Sequence, residues 1–198
     1  MKVSIPKSWA SITIEQFPLI YDIIKDKDIE PIDKEVRLIS IITGLSVADI
    51  ENIELGQLRE LIKKVRFIFK LEFPHPVEWF KHEGYKWHVN YDITKISSAD
   101  FISLTKLSTT EDDVMMNMAE ITSIFVKPYK RKWFRYVPVE MDYKERLELI
   151  KTINVGVIYP VCVFFCKVLT NLLPVIKGYL ESQKEKILEK IAKEIQLS

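Results

Sequence analysis

Glycine is scarce in this 198-residue chain: Gly44, Gly56, Gly84, Gly156 and Gly178 are the five present, and no two are neighbours. Average usage would supply roughly 14. Without clustered glycines there is no GxGxxG fingerprint, no GxxxxGK phosphate loop and no GxSxG elbow, which argues against the commonest nucleotide-binding and hydrolase architectures. Only two cysteines occur, Cys162 and Cys166, both inside an apolar run. That is no secreted disulfide framework, and the pair reads as buried, inert thiols of a reducing compartment. Three histidines, His75, His82 and His88, lack further ligands at zinc spacing and read as structural. No cofactor is implied. An excess of one charge is missing too, since 29 Lys+Arg against 28 Asp+Glu leaves +1. Total charge therefore gives no reason to expect nucleic acid or an acidic partner. The opening Met-Lys-Val-Ser-Ile-Pro lacks the apolar stretch of a signal peptide.

The longest apolar stretch, Val155 to Ile176, is interrupted by Pro160, Lys167, Asn171 and Pro174. Its uninterrupted part ends at Cys166, short of the roughly 20 residues a membrane helix needs, so it reads as a core helix. No membrane association is expected. What the chain does have is apolar mass: 47% of residues are hydrophobic against 29% charged, enough to build a core.

Helix signals dominate the pattern. Thr13-x-x-Gln16 is a capping box, with Ile12 and Phe17 placed as a hydrophobic staple and Pro18 awkward in the first turn. Pro31 opens a helix carrying Val36, Leu38, Ile39, Ile41 and Ile42 that Thr43-Gly44 closes, and Ser46-x-x-Asp49 caps a short one. Leu55, Leu58, Leu61, Ile62, Val65, Ile68 and Phe69 form an amphipathic helix face. The period then shifts to two. Val77–His82 and Tyr85–Tyr91 across Glu83-Gly84 predict a β-hairpin. Residues 93–104 read as a polar connection into a helical turn. Thr110-x-x-Asp113 caps a helix with Val114, Met115, Met118, Ile121, Thr122 and Phe125 on one stripe, and Asp142-x-x-Glu145 caps another running into the apolar stretch. Beyond Lys177 the chain is charged, with Leu180, Ile187, Leu188, Ile191 and Ile195 in a narrow stripe that needs a partner surface.

The most unusual local feature is Lys127–Tyr136. Lys127, Lys130, Arg131, Lys132 and Arg135 interleave there with Tyr129, Trp133, Phe134 and Tyr136. Cations for phosphates and aromatics for bases are how single strands are held. The competing reading is a solvated hairpin or loop whose aromatics rejoin the core, and the balanced total charge weighs against a broad nucleic-acid face.

Several of these segments together resemble a phage tail assembly chaperone-like family of Bacteroidetes phages and prophages. The resemblance rests on Trp9 followed by Ile12-Thr-Ile-Glu-Gln-Phe17, on Ile39–Leu45 with the Val47–Ile53 helix, and on Gly84-Tyr85 to Tyr91. It continues with Ile96-Ser-Ser-Ala-Asp-Phe-Ile102, Asp142–Leu149 and Phe164-Phe165, spanning residues 9 to 170 in order. It implies no catalytic residues and a role in coating apolar stretches of the tape-measure protein during tail assembly. The basic-aromatic stretch and the charged C-terminal segment depart from the family pattern. The expected fold is α+β and predominantly α-helical: one domain over 1–176 with a central β-hairpin, and an appended amphipathic helix over 177–198. The expected function is non-enzymatic phage morphogenesis in the host cytoplasm, with other phage structural or tail proteins, or a second copy of the chain, as partners. The alternative is a structural virion component of the head–tail or internal assembly, contacting DNA through 127–136.

Overall fold

A computed structural model describes residues 5–70, 73–168 and 170–171. A first compact unit runs Met1–Cys162 and a second begins at Val163. The fold is α+β and predominantly helical. Helices α1 (Gln16–Lys25), α2 (Pro31–Thr43), α3 (Val47–Glu51) and α4 (Leu55–Val65) come first. Strands β1 (Trp79–His82) and β2 (Tyr85–Val89) follow, then α5 (Ser98–Leu107), α6 (Glu111–Met116) and α7 (Met118–Phe125). Strands β3 (Val126–Lys132) and β4 (Arg135–Pro138), helix α8 (Tyr143–Lys151) and a helix α9 from residue 155 complete the described chain.

The caps form where side-chain chemistry dictates. Thr13 N–H donates to Gln16 Oε1 at 3.1 Å while Gln16 N–H donates to Thr13 Oγ1 at 3.3 Å, closing the reciprocal box. Ser46 with Asp49 and Thr110 with Asp113 form the same box. Gly44 ends α2 at φ 71°, a left-handed conformation that glycine adopts without a Cβ penalty. Asp112, beside the third box, accepts from Tyr21 Oη at 3.0 Å and pairs with Lys25, tying α6 to α1.

Two segments are glued by the N-terminal stretch. Trp9 is buried, donates from Nε1 to the Lys70 carbonyl at 2.9 Å, and packs its ring within 6 Å of Phe17, Phe67 and Phe73. Phe73 stacks on Tyr159 with ring centres 4.0 Å apart. Residues 12–15 then run antiparallel to 151–155: Ile14 N–H donates to the Ile153 carbonyl, Glu15 N–H to that of Lys151 and Val155 N–H to that of Ile12. Ile12, Ile14, Ile153 and Val155 are all buried around this junction.

Three expectations need correction. The helix expected from Thr110 through Phe125 is two helices, broken at Asn117. The Asn117 amide Nδ2 donates to the carbonyls of Asp113 (2.8 Å) and Leu107 (3.3 Å), so a side chain takes up helix-end acceptors and turns the chain. The helix capped by Asp142 does not continue into the apolar stretch. It ends at Lys151, and α9 starts afresh with Asn154 Oδ1 accepting from Val157 N–H at 3.1 Å. The single central hairpin is in fact half of a four-stranded antiparallel sheet in the order β1-β2-β3-β4. The 176/177 boundary and the C-terminal helix with Leu180, Ile187, Leu188, Ile191 and Ile195 lie outside the described residues.

Gly156 had no reason in the sequence. A Cβ there would sit 3.0 Å from Asn154 Oδ1 and 3.6 Å from the backbone of Trp9 and Ala10, so glycine permits close approach of the N-terminal turn to α9. Substitution Gly156→Val is expected to cost about 1–3 kcal/mol through overpacking at this junction. Urea unfolding followed by far-UV circular dichroism checks it.

Candidate functional site

The sheet positions the residues that stand out chemically. Successive side chains on a strand point to opposite faces, so the register assigns each residue to a side. Trp87 faces Pro128 and Val89 faces Val126 across β2 and β3, and all four are buried, which marks the core face. The opposite face carries Trp79 and Lys81 from β1, Lys86 and His88 from β2, Lys127, Tyr129 and Arg131 from β3, and Tyr136 from β4. Side-chain contacts agree with that assignment. Lys86 Nζ lies 4.5 Å from the centre of the Trp79 ring and 4.6 Å from that of Tyr136, held between two aromatic faces. Trp79 packs on His88 (4.3 Å) and edge-on against Tyr129 (5.2 Å).

The linear basic-aromatic segment is therefore divided by the strand pleat. Lys127, Arg131, Tyr129 and Tyr136 belong to the outer face. Lys130 turns to the other side, where its Nζ lies 4.6 Å from the centre of the Tyr85 ring, and Lys132 and Arg135 face each other near the turn. From Lys130 to Tyr136 every residue is exposed, so the end of this hairpin extends past the core as an arm. The structure brings the five predicted cations onto one hairpin but not onto one surface.

The tip of that arm is Trp133-Phe134. The two side chains are 83% and 94% exposed, and Trp133 holds a positive φ of 58°. A bulky residue in that region is an outlier, costing roughly 1–2 kcal/mol relative to an extended backbone. These two aromatics do not rejoin the core, contrary to the competing sequence reading. Its other half holds, since the segment is a solvated hairpin.

Lys81, Lys86 and Trp79 were missed as candidates. The period-two alternation already put Lys86 and His88 on one side of a strand, but nothing local said that β3 would pair with β2. At the end of the sheet, Lys81, Lys86, Arg131 and Tyr136 line a groove of about 420 Å³ beside the Glu83-Gly84 turn. A second, more apolar concavity of about 600 Å³ lies along α4, lined among others by Leu45, Ile53 and Leu61.

No family model matches the chain, and no curated protein or solved structure matches it either. The remaining sequence candidates are dispersed. His82 Nε2 lies 2.8 Å from Thr152 Oγ1, and His88 Nε2 lies 3.6 Å from a carboxylate oxygen of Glu78. Among the described residues no group of three or more His, Cys, Asp or Glu side chains is placed to hold a metal ion. Cys162 is buried, with its Sγ 3.6 Å from Thr122 Oγ1, whereas Cys166 is only half-buried, short of the burial expected for both thiols. Among the described residues no helix is long and apolar enough to cross a membrane.

Where the sheet meets the body of the unit, Tyr91 Oη donates to the Val77 carbonyl at 2.9 Å and closes the base of the first hairpin. Burial, with the nearby Glu78 charge, pushes its phenol up to about 12. A phenol raised above its unfolded value of about 10 stabilises the fold fully below that pH and loses the contribution as pH rises toward 12. Unfolding free energy is thus expected to fall between about pH 10 and 12, and to fall less in Tyr91→Phe. Denaturant titrations at stepped pH, with tyrosinate absorbance as the second readout, check both.

Proposed function

We propose that this chain is a non-enzymatic bacteriophage morphogenesis protein, similar in role to the tail assembly chaperones. It binds other phage structural or tail proteins, the tape-measure protein foremost, in the host cytoplasm while the particle is built. The observation that carries the reading is the Trp133-Phe134 tip. Two large aromatic side chains stand in solvent at the end of an arm, next to Lys132 and Arg135. Trp and Arg are among the side chains enriched at the energetic centres of protein interfaces, and a Trp ring buries much area at small entropic cost. Trp133 is kept there although its backbone conformation would suit glycine, and strain of this kind clusters at functional positions. The alternation of apolar helices with one projecting arm suits a protein that docks onto another chain. A structural role in the head–tail or internal assembly of the virion is the second reading, favoured by the cations carried on the same arm. A binder that leaves before maturation is absent from purified particles by mass spectrometry, and a structural component is present.

Co-expression with a tape-measure protein and affinity pulldown tests the first reading. Capture is expected from the wild-type chain, with at least a tenfold loss in the Trp133→Ala, Phe134→Ala double variant. The Trp133→Gly variant separates binding from folding. Glycine relieves the positive φ, so thermal stability holds or rises while capture weakens. No complex with the wild-type chain, or equal capture by the tip variants, sinks the proposal.

A further inference from the structure

We propose that the outer face of the sheet, centred on the groove between Lys81, Lys86 and Arg131, binds the phosphate backbone of single-stranded nucleic acid. The inference is separate from the partner-binding tip and uses different residues. Its starting point is the register. Lys81 and Lys86 are direct cross-strand partners on one face, and Arg131 pairs with Tyr136 on the neighbouring strands of that face. Like charges directly opposite one another destabilise a sheet. Among the described residues no carboxylate lies within ion-pair distance of Lys81, Lys86, Lys127 or Arg131. Glu83 also lines the groove, so three cations face a single carboxylate there, and the patch keeps an excess of positive charge that an anion would relieve.

The patch has the form of a built site. Lys86 is half-buried, and its ammonium is held between the Trp79 and Tyr136 rings, so little side-chain freedom remains to be lost on binding. Lys81 and Arg131 flank it across a concavity of about 420 Å³. Lys127 extends the cationic row along β3 beyond this groove, a length that suits a polymer rather than one phosphate. Tyr136, 42% exposed at the groove, and Tyr129 rise between the cations, where bases of a single strand can stack. An acidic polypeptide would use the charges but has no need of the rings. The near-neutral total charge of the chain is no obstacle, because the cations are concentrated on one face.

Fluorescence anisotropy with a labelled oligothymidylate at low salt tests the proposal on the full chain. Binding is expected, and it weakens steeply with added salt. The K81Q/K86Q/R131Q variant should lose at least tenfold in affinity and reduce the salt slope by about 2, whereas K81R/K86R should retain binding. Circular dichroism melting of each variant separates loss of charge from loss of fold. Three results would overturn the assignment: no oligothymidylate binding at low salt, unchanged binding by the triple glutamine variant, or equally tight binding of duplex DNA. Equal binding of poly-glutamate or of anionic phospholipid vesicles would overturn it too, in favour of a general polyanion patch.

Discussion

The first unit of this protein depends on a short antiparallel junction between its two ends. Residues 12–15 exchange backbone hydrogen bonds with 151–155, and the Trp9 turn lies against the start of α9. These contacts span about 140 residues of sequence, so they restrict the chain more than any local helix does, and the entropic cost of closing so long a loop must be offset by burial. The burial is there. Ile12, Ile14, Phe17, Ile153 and Val155 surround the junction, and the Trp9–Phe73–Tyr159 rings close one side of it. Once the ends are joined, the helices between them have a fixed core to pack on. The sheet, which hangs from the direct α7–β3 junction at Phe125–Val126 and the Asn90 N–H hydrogen bond to the Phe125 carbonyl, gains a rigid base.

A rigid base fixes where the arm projects. Backbone pairing of β3 with β4 continues past the last buried residue, so hydrogen bonds rather than core packing hold the projecting part. Side chains there are free to be chosen for what they meet. Cations line both sides of the arm, and a Trp-Phe pair occupies its tip. The same pleat that hides Trp87 and Val89 beneath the sheet brings Lys86 and Arg131 to the outside. Two different surfaces thus come from one sequence segment, an aromatic one at its end and a cationic one on its flank.

Much of the fold was legible locally because the relevant interactions are local. Capping boxes at Thr13, Ser46 and Thr110 each join residues three apart, and the Glu83-Gly84 turn is set by two positive φ angles of 46° and 73°. Breaks were harder to read. Asn117 ends one helix by reaching the Leu107 carbonyl ten residues back, and Asn154 begins another at the point where it bridges to Thr13, distant in sequence. Apolar periodicity runs through both points without a sign of interruption, which is why longer helices were expected there. The candidate site was half visible. Composition singled out 127–136, but not that Lys81 and Lys86, some 45 residues earlier, would join it.

By itself the sequence determined the class of fold, most helix starts and stops, the first hairpin and the concentration of charge in one stretch, since each follows from contacts within a few residues. Tertiary structure alone decided the pairing of β2 with β3, the separation of the basic segment into two faces, the exposure of Trp133 and Phe134 and the need for glycine at 156. Those depend on which distant backbone comes alongside, and that is set by the summed burial of the whole core rather than by any residue's own preference.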